Sequence, residues 1–453
     1  MEKKIQLSDS RSLYFVGIGG AGMYPLARLA LSLGFRVSGC DRAENENTAR
    51  LRRLGISIDK EGEGVGAERD ATVVYTLAAP DTHPILQKAR TQGQEMLTRT
   101  AFLGRLSARF AKCATVAGTH GKSSTVGFCA SVLRTAGLSP TVLCGADLTK
   151  RDGGFLSGGQ ELLLVEACEY KRAFLSLAPT HALALGADYE HPDCYENEEA
   201  VKQAFLAYLS LPSVRTRVAP VGFCEDAVSF GKGGIFSFQN LTVNEGRASF
   251  DLFREKKNLG KVRLSVLGAF QAQNALAAAA LCYTLGVRDA DIPLGLSAFH
   301  GIGGRMELCG WVKGVPLYLD YAHHPTELSA ALACASTIGD RVTCVFEGHT
   351  YSRCFAFRRA FTRLLALPHC SGVLPIFPAR ETETLGMSGE KMAREAGADF
   401  LSDYNSASEY ILKQAENSDV ILLVGAGKIG ETLSCLRKSE VFLPVKVSDC
   451  LHK

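Results

Sequence analysis

The N-terminal part of the chain alternates short apolar runs with amphipathic stretches. Leu13-Tyr-Phe-Val-Gly and Phe35-Arg-Val-Ser-Gly-Cys are predicted strands, and residues 21–33 between them form a predicted amphipathic helix. A third predicted strand, Ala71-Thr-Val-Val-Tyr-Thr, precedes a helix near 83–91. Strands that alternate with helices are typical of a parallel sheet covered by helices, so this part is predicted to be Rossmann-like.

The middle of the chain continues this pattern and then changes it. The apolar run Cys113-Ala-Thr-Val-Ala leads into a glycine-rich turn and a predicted helix at 122–136, and Glu161-Leu-Leu-Leu-Val-Glu is another buried strand. Short alternating segments at 214–266 predict an antiparallel insertion or flank. An alanine-rich helix is predicted at 271–285.

The C-terminal part returns to apolar strands separated by helices. Its predicted parallel strands are Val315-Pro-Leu-Tyr-Leu-Asp, Val342-Thr-Cys-Val-Phe, Val373-Leu-Pro-Ile-Phe and Val420-Ile-Leu-Leu-Val-Gly. The predicted fold is therefore three α/β domains, at 1–105, 106–311 and 312–453, of which the last is also predicted to be Rossmann-like. This agrees with length, because 453 residues exceed the roughly 250–300 at which one core stops growing.

Composition and charge exclude several function classes. The net charge is only +3 and the chain has no long basic run, so the sequence does not predict a nucleic-acid-binding surface. The polar N-terminus lacks the apolar core of a signal peptide, and glycines and Arg28 interrupt the first apolar stretch, so no membrane insertion is expected. The 15 cysteines include no C-x-x-C pair, which predicts reduced thiols and a cytoplasmic protein. We expect a monomer or a weak homodimer.

The first candidate site is the turn Gly118-Thr-His-Gly-Lys-Ser-Ser124, between a strand and a helix. Its glycines let the backbone curl so that N–H groups face phosphate oxygens, and Lys122 adds a positive charge. The Ser123 hydroxyl is suited to Mg²⁺. A generic P-loop has glycine where Val116 lies, so this is a shortened, P-loop-type variant in the central domain. An ordinary glycine-rich turn is the alternative.

The second candidate site is Gly17-Ile-Gly-Gly-Ala-Gly22, a G-x-G-x-x-G pattern between a strand and a helix. Asp41 follows nineteen residues after Gly22, where an acidic residue can reach a ribose hydroxyl. The pattern fits a dinucleotide, a nucleotide-sugar, or only close packing of helix and strand.

Carboxylates and histidines mark two further strand ends. Glu166-Ala-Cys-Glu169 and Glu190-His-Pro-Asp193 follow buried strands beside the phosphate turn, as a Mg²⁺–nucleotide site requires. Asp320-Tyr-Ala-His323-His324-Pro325 ends a strand, and the proline suits the first position of a helix. The side chains of the two adjacent histidines are expected to point in different directions, so they are poorly placed to bind one metal ion together. Arg305, Arg353 and Arg380 are candidates to bind phosphate or carboxylate groups.

Together these motifs resemble the Mur ligase family over nearly the whole chain. The resemblance is strongest for the branch that adds the first amino acid of the stem peptide, because its N-terminal signature is similar to Phe15-Val-Gly-Ile-Gly-Gly-Ala-Gly-Met23. The other segments that resemble family motifs are Gly118–Thr125, Asn274-Ala-Leu-Ala-Ala, Asp320–Pro325, Phe346–Arg353 and Ala379-Arg-Glu381.

The resemblance implies an ATP-dependent amide ligase that joins L-alanine, or glycine or L-serine, to UDP-N-acetylmuramate through an acyl phosphate. Such an enzyme acts in peptidoglycan precursor synthesis, hence in cell-wall biogenesis, cell shape and cell division. It uses ATP and Mg²⁺.

The resemblance also assigns the site residues. Those implied for the UDP-substrate are Gly19, Gly20, Ala21, Gly22, Asp41 and Arg380. Those implied for ATP are Gly118, Thr119, His120, Gly121, Lys122, Ser123, Ser124, Asn274 (adenine), Arg305 (phosphates) and Asp320 (ribose). Those implied for metal are Ser123, Glu166 and His191, and those implied for catalysis are Lys122, His191, Arg305, His323, His349 and Arg353.

The chain also departs from the family motifs. No carbamoylated lysine is expected, because Leu206 occupies its position. The other departures are Cys168, Gly186, Glu190, Phe270-Gln271, Glu347-Gly348 and Lys428. Three alternatives stay open: a Mur ligase for a later amino acid or a tripeptide, a degenerate non-catalytic nucleotide-binding relative, and a Rossmann oxidoreductase.

Overall fold

The computed structural model of the protein describes residues 12–60, 66–148, 153–189 and 194–445. These residues form three α/β domains, each built on its own sheet, with five, ten and seven strands. The predicted three-domain α/β fold is confirmed. In the described ranges, no helix has both the length and the apolar character that crossing a membrane requires.

The N-terminal domain is a five-stranded parallel sheet with the buried first strand at its centre. Its strands are β1 (Ser12–Val16), β2 (Arg36–Asp41), β3 (Ser57–Lys60), β4 (Thr72–Tyr75) and β5 (Met96–Thr98), and its helices are α1 (Tyr24–Ser32), α2 (Glu46–Arg53), α3 (Pro84–Thr91) and α4 (Arg99–Ser107). The strand order is β3-β2-β1-β4-β5. The predicted helix start at Ala21 is wrong, because residues 17–23 form successive turns before α1 begins.

The central domain carries a ten-stranded sheet. Its strands are β6 (Lys112–Ala117), β7 (Thr141–Leu143), β8 (Phe155–Leu156), β9 (Leu162–Glu166), β10 (His181–Ala184), β11 (Thr216–Pro220), β12 (Ala227–Phe230), β13 (Phe236–Asn244), β14 (Arg247–Arg254) and β15 (Lys257–Leu267). Its helices are α5 (Lys122–Thr135), α6 (Glu198–Leu209), α7 (Gln271–Thr284) and α8 (Asp291–Ser297), and a short 3₁₀ helix covers Tyr170–Ser176. The strand order is β15-β14-β13-β12-β11-β10-β6-β9-β7-β8.

The prediction of an antiparallel region at 214–266 is wrong for its first half. Strand β11 runs parallel to β10, and β12 runs parallel to β11. Helix α6 lies between β10 and β11 and returns the chain to the same end of the sheet, which makes the pairing parallel. Antiparallel pairing begins with the β13–β14 hairpin and continues to β15.

The C-terminal domain has a seven-stranded mixed sheet. Its strands are β16 (Glu307–Val312), β17 (Val315–Asp320), β18 (Val342–Glu347), β19 (Cys370–Val373), β20 (Asp399–Phe400), β21 (Val420–Gly425) and β22 (Phe442–Pro444). Its helices are α9 (Pro325–Ser336), α10 (Tyr351–Ala356), α11 (Arg358–Leu365), α12 (Gly389–Ala396), α13 (Tyr404–Gln414) and α14 (Glu431–Leu436). The strand order is β20-β19-β18-β21-β17-β16-β22.

One predicted strand of this domain is misplaced. The strand predicted at 373–377 ends at Val373 and occupies Cys370–Val373 instead. Pro375 has no N–H to donate to a ladder, so the chain leaves the sheet there. The fold still brings the predicted motifs to the carboxyl ends of parallel strands, where α/β sheets bind ligands.

Candidate active site

The phosphate turn connects β6 to α5 and has the backbone shape that the sequence predicts. Gly121 precedes α5 with φ of +79°, and a Cβ added there would lie 2.3 Å from Oδ1 of Asn274. Only glycine fits this conformation and this contact without strain. The turn is therefore fixed in place by the helix that carries Asn274.

Backbone carbonyls and a carboxylate hold Lys122 at the turn. Its Nζ donates to the carbonyl oxygens of Gly118 at 2.6 Å and Thr119 at 3.2 Å, and to Oε1 of Glu169 at 2.8 Å. Glu169 is buried, with 2% exposure, so this ion pair is shielded from water. The sequence placed Glu169 in an acidic cluster but did not predict that it is the partner of Lys122.

Ser123 and Glu166 are brought together as the sequence predicts. Strands β6 and β9 are parallel neighbours with Val116 opposite Glu166, so the carboxylate emerges beside the turn. Ser123 Oγ donates to Oε2 of Glu166 at 2.8 Å, and the Gly145 N–H donates to the same oxygen at 2.8 Å. A hydroxyl and a carboxylate are the hard oxygen donors that Mg²⁺ prefers, so these two residues fit that ion.

The third predicted metal ligand cannot be placed. His191, with Glu190 and Asp193, lies outside the described residues. Among the residues that are described, no group of three or more His, Cys, Asp and Glu side chains could hold a metal ion by itself. A Mg²⁺ site built on Ser123 and Glu166 therefore needs oxygens from phosphate or water as well.

A cavity of about 790 Å³ lies between the central and C-terminal domains, beside the phosphate turn. This volume is within the range of small-molecule sites. Its polar lining includes three residues that lie far from the turn in sequence and are predicted to bind ATP: Asn274, Arg305 and Asp320. Its apolar wall is formed by Leu185, Val221, Phe230, Phe270, Ala322, Ala330 and Ala331.

Asp320, at the end of β17, is a buried carboxylate at this cavity. It accepts hydrogen bonds from the N–H groups of Met306 at 2.8 Å and Ala322 at 2.8 Å. Burial raises the pKa of Asp320 to about 6, against the opposing effect of the positive charge on Arg305. The Arg305 guanidinium lies 4.9 Å from the centre of the Tyr321 ring, which fixes its direction.

Glu327 joins the two domains at the same cavity, and sequence reasoning missed it. Its Oε1 lies 3.0 Å from Nδ1 of His120 in the phosphate turn, and its Oε2 accepts from the His323 N–H at 3.0 Å. Burial alone would raise the pKa of Glu327, but His323, His120 and Arg305 hold it well below its usual value. The sequence feature that could have identified Glu327 is its position three residues after His324, the spacing of a helix-capping box.

The paired histidines diverge, as predicted. His324 caps α9, and its buried ring lies 5.1 Å from that of His120 and 4.6 Å from that of Phe357, centre to centre. The His323 ring instead lies 5.8 Å from that of His349.

His349 in turn is tied to a buried arginine. The Arg353 guanidinium lies 3.1 Å from Nδ1 of His349, and Arg353 is only 5% exposed. His323, His349 and Arg353, which the resemblance groups together, therefore form one cluster.

The glycine-rich loop of the N-terminal domain holds its own acidic residue. Oδ2 of Asp41 accepts from the Gly19 N–H at 2.7 Å, so this carboxylate shapes the loop directly. Gly20, Ala21 and Gly22 are exposed. Arg380, predicted to contact the same substrate, lies exposed in the C-terminal domain and does not line the cavity between the domains.

The three domains match three family models in the order of the chain. Residues 12–111 match the "Mur ligase family, catalytic domain", residues 116–282 the "Mur ligase middle domain", and residues 304–427 the "Mur ligase, glutamate ligase domain". The chain belongs to the Mur ligase family. It is accordingly an ATP-dependent ligase that forms carbon–nitrogen bonds, as the sequence predicts.

Similar proteins match most of the length of this Mur ligase. A UDP-N-acetylmuramate–L-alanine ligase of Caldicellulosiruptor bescii is 32% identical over 94% of this chain and 98% of its own. The Aquifex aeolicus protein of the same name is 34% identical over 93% and 96%. In fold, the chain is similar to the UDP-N-acetylmuramate–alanine ligase of Thermotoga maritima, with a TM-score of 0.80, 24% identity, and 94% and 98% coverage.

Glu347 and Lys428, two positions at which this Mur ligase departs from the family motifs, are joined by a hydrogen bond. Glu347, buried at the end of β18, accepts from the backbone N–H groups of Lys428 at 2.7 Å and Ile429 at 3.0 Å. The Tyr404 hydroxyl donates to its other oxygen at 2.7 Å. Burial raises the pKa of Glu347, while these hydrogen bonds lower it. Glu347 therefore fixes the loop after β21.

Proposed function

We propose that this Mur ligase joins L-alanine to UDP-N-acetylmuramate, using ATP, in peptidoglycan precursor synthesis. Curated relatives that are 31% to 34% identical over nearly the full chain carry the name UDP-N-acetylmuramate–L-alanine ligase. The observation that carries the proposal is the phosphate turn, with Lys122 and the Ser123–Glu166 pair, at one edge of the cavity between two domains.

The chemistry explains why cations surround this site. A carboxylate does not condense with an amine in water, because its oxygen is a poor leaving group. Transfer of the γ-phosphoryl group of ATP to the carboxylate gives an acyl phosphate and ADP. The amine then attacks the carbonyl carbon, and the tetrahedral intermediate expels phosphate to leave the amide. Negative charge develops on the transferring group, so fixed positive charges stabilise the transition state.

Lys122 and the Ser123–Glu166 pair are suited to this task. Lys122 projects from the N-terminus of α5, whose free N–H groups also favour an anion. Ser123 and Glu166 would hold Mg²⁺ beside it. When bound, Mg²⁺ supplies further positive charge to the phosphate oxygens. Glu169 keeps the ammonium of Lys122 aimed at the turn.

The other half of ATP would lie in the cavity. Asn274, on α7, would face the adenine, Asp320 the ribose hydroxyls and Arg305 the phosphates, and the position of all three in the cavity lining supports these roles. The cavity wall comes from two domains, so binding of ATP would hold the C-terminal domain against the central one. Closure brings the reactants together and keeps water from the acyl phosphate. His323, His349 and Arg353 would then lie where the amino acid enters.

We also propose a cytoplasmic location. The described cysteines are all free, and free thiols persist in a reducing compartment.

The test of the proposed function is ATP-dependent phosphate release with UDP-N-acetylmuramate and a series of amines. L-alanine is expected to support the fastest release, ahead of glycine and L-serine. Faster release with a tripeptide would assign the chain to the alternative Mur ligase activity. Binding of ATP without phosphate release in the presence of any amine would identify a non-catalytic relative.

Lys122→Ala is expected to lower the rate of phosphate release by at least ~10²-fold, because a fixed charge at the transferring group is lost. The matched control is Lys256→Ala, which removes an exposed lysine from the β14–β15 turn of the same domain. Circular dichroism should show that both variants keep the fold. Wild-type activity in Lys122→Ala would contradict the proposed site.

A further inference from the structure

Phe377 holds His349 through its backbone and through its ring. The Phe377 N–H donates to the carbonyl of Gly348 at 2.8 Å, and the carbonyl of Phe377 accepts from the Thr350 N–H at 2.8 Å. The backbones of His349 and Phe377 thus form an isolated parallel bridge. Their rings are stacked, with centres 5.7 Å apart and planes at 26° to each other. The position of the His349 ring therefore depends on that of Phe377.

The residue after His349 has a strained backbone. Thr350 has φ of +64°, a value that a β-branched residue rarely adopts. Such a conformation persists only where the surrounding structure imposes it, and it is concentrated at binding and catalytic sites. The hydrogen bond from the Thr350 N–H to Phe377 helps to impose it here. A shift of Phe377 would let this segment relax and would move the His349 ring.

The loop after β21, residues 426–429, separates Phe377 from Glu347. A Cβ added to Gly427 would lie 2.6 Å from Cβ of Phe377 and 2.4 Å from Oε2 of Glu347. Both distances are shorter than van der Waals contact, so only glycine fits between these two side chains. A movement of this loop relative to Glu347 would therefore change its contact with Phe377.

Backbone N–H groups and a tyrosine hydroxyl fix the Glu347 carboxylate against this loop. Oε2 accepts from the N–H groups of Lys428 and Ile429, and Oε1 accepts from the hydroxyl of Tyr404. Glu347 is 1% exposed and Ile429 is 2% exposed, so water would not replace a lost acceptor there. One buried carboxylate therefore determines where residues 426–429 lie.

This series of contacts ends at the cluster of His323, His349 and Arg353, called here the His349 cluster. Nδ1 of His349 lies 3.1 Å from the Arg353 guanidinium, and its ring lies 5.8 Å from that of His323. Among the described residues that line the cavity assigned to ATP, neither Glu347 nor Phe377 is present. Glu347 therefore acts on the His349 cluster and not on the nucleotide.

We propose that Glu347 is a positioning residue for the amino-acid substrate, because it holds His349 in place through residues 426–429 and Phe377. The proposal rests on the proposed function, since it takes the His349 cluster as the place where the amino acid enters. Glu347 itself is buried behind the loop and does not touch the substrate. The attacking amine must lie close to the acyl-phosphate carbon, so a small displacement of the group that binds the amino acid lowers the rate.

Steady-state kinetics of phosphate release test this role, with L-alanine and ATP varied in turn at saturating UDP-N-acetylmuramate. Glu347→Ala is expected to raise the KM for L-alanine by about 10- to 100-fold, because the His349 cluster is displaced. The KM for ATP should be unchanged. A role in stability alone would instead lower the amount of active enzyme, and hence the apparent kcat, at an unchanged KM for L-alanine.

Glu347→Gln is the conservative variant and should keep the wild-type KM for L-alanine. Its amide oxygen can accept from the two loop N–H groups, while its NH₂ donates to the hydroxyl oxygen of Tyr404. The matched control is Glu409→Ala, which removes an exposed carboxylate from α13, the helix that begins at Tyr404. This control should have wild-type values of both KM and kcat.

Gly427→Ala tests the same contacts without removing the carboxylate, and it decides the matter if Glu347→Ala does not fold. The added methyl group would push the loop away from Glu347 and Phe377, so the KM for L-alanine should again rise and that for ATP should not. Gly430→Ala is its matched control, because a Cβ added at Gly430 has no neighbour within 4 Å. It should behave as the wild type does.

The outcomes separate the two hypotheses. If the wild type releases no phosphate with any amine, the proposed function fails. If the wild type is active and a folded Glu347→Ala or Gly427→Ala variant keeps the wild-type KM for L-alanine, only the positioning role is overturned. An equal rise in the KM for ATP would indicate general distortion, and an equal rise in Glu347→Gln and Glu347→Ala would exclude the hydrogen bonds as the cause; either result overturns the proposal.

Discussion

Asp320 shows at the residue scale how the fold sets the chemistry of one carboxyl group. The group is buried at the end of β17, where water cannot stabilise its charge. Two backbone N–H groups and the nearby Arg305 offset part of this cost. The cost of burial that remains raises the pKa of Asp320. Groups with a shifted pKa concentrate at functional sites.

This raised pKa predicts how stability depends on pH. Well below pH 4, Asp320 is protonated in both the folded and the unfolded protein, so it contributes no penalty. Its folded pKa is about 6, so folding disfavours the charged form, and the penalty grows as pH rises through 4 to 6. Above that range, the cost is about 3 kcal/mol.

The comparison with Asp320→Asn isolates this contribution from those of other titrating groups. The free energy of unfolding of the variant, relative to the wild type, should increase by about 3 kcal/mol between pH 4 and pH 7. Urea unfolding at a series of pH values measures it. A difference that stays constant across this range would show that Asp320 has an ordinary pKa.

At the scale of elements, the start of α9 combines a helix cap with a contact between domains. Pro325 occupies the first turn, where its missing N–H costs nothing, and His324 and Glu327 form a reciprocal capping box. The other oxygen of Glu327 contacts His120 in the phosphate turn. One side chain thus stabilises the helix and joins it to the ATP site.

Glu327→Ala should therefore destabilise the protein by about 2 to 4 kcal/mol, since it removes a cap and a charge-assisted hydrogen bond. Glu327→Gln is the matched variant, because its amide oxygen can still accept from the backbone of α9. It should lose about half as much stability. Thermal unfolding measures both, and wild-type stability in Glu327→Gln would show that the charge on Glu327 does not matter.

At the scale of the whole molecule, two arginines of the N-terminal domain contact the central domain, beside a hydrophobic core that Phe102 of the first domain and Phe174 of the second share. Arg50, on α2, is 6% exposed and lies 3.8 Å from a carboxylate oxygen of Asp147. Arg28, on α1, lies 4.9 Å from the centre of the Phe155 ring. Both arginine contacts are modest in strength and add to that shared core.

Arg50→Ala should loosen this contact and increase the radius of gyration of the free protein in small-angle X-ray scattering. UDP-N-acetylmuramate with a non-hydrolysable ATP analogue should restore the wild-type value, because the ligands bridge the domains. Arg53→Ala, an exposed position on the same helix, is the control. An unchanged radius of gyration in Arg50→Ala would show that other contacts hold the N-terminal domain.

The sequence by itself determined the three-domain α/β fold and the local shape of its motifs. Apolar runs specify buried strands, and glycine or proline at fixed positions specifies turns and helix starts, so the phosphate turn and the start of α9 could be predicted. The errors arose where local pattern was ambiguous. Residues 21–23 form turns instead of helix, 373–377 leave the sheet at a proline, and β11 and β12 pair in parallel because α6 returns the chain.

Only the tertiary structure decided which charged groups act on each other. Glu169 reaches Lys122 across 47 residues of sequence, and Glu327 reaches His120 across 207. The contact between Arg99 and Gly22 likewise depends on the parallel sheet, in which β1 and β5 end on the same side although β4 lies between them. Sequence periodicity reports the face on which a residue lies, not its partner on a distant element. Pairing of charges depends on distances of a few ångströms, which packing alone fixes.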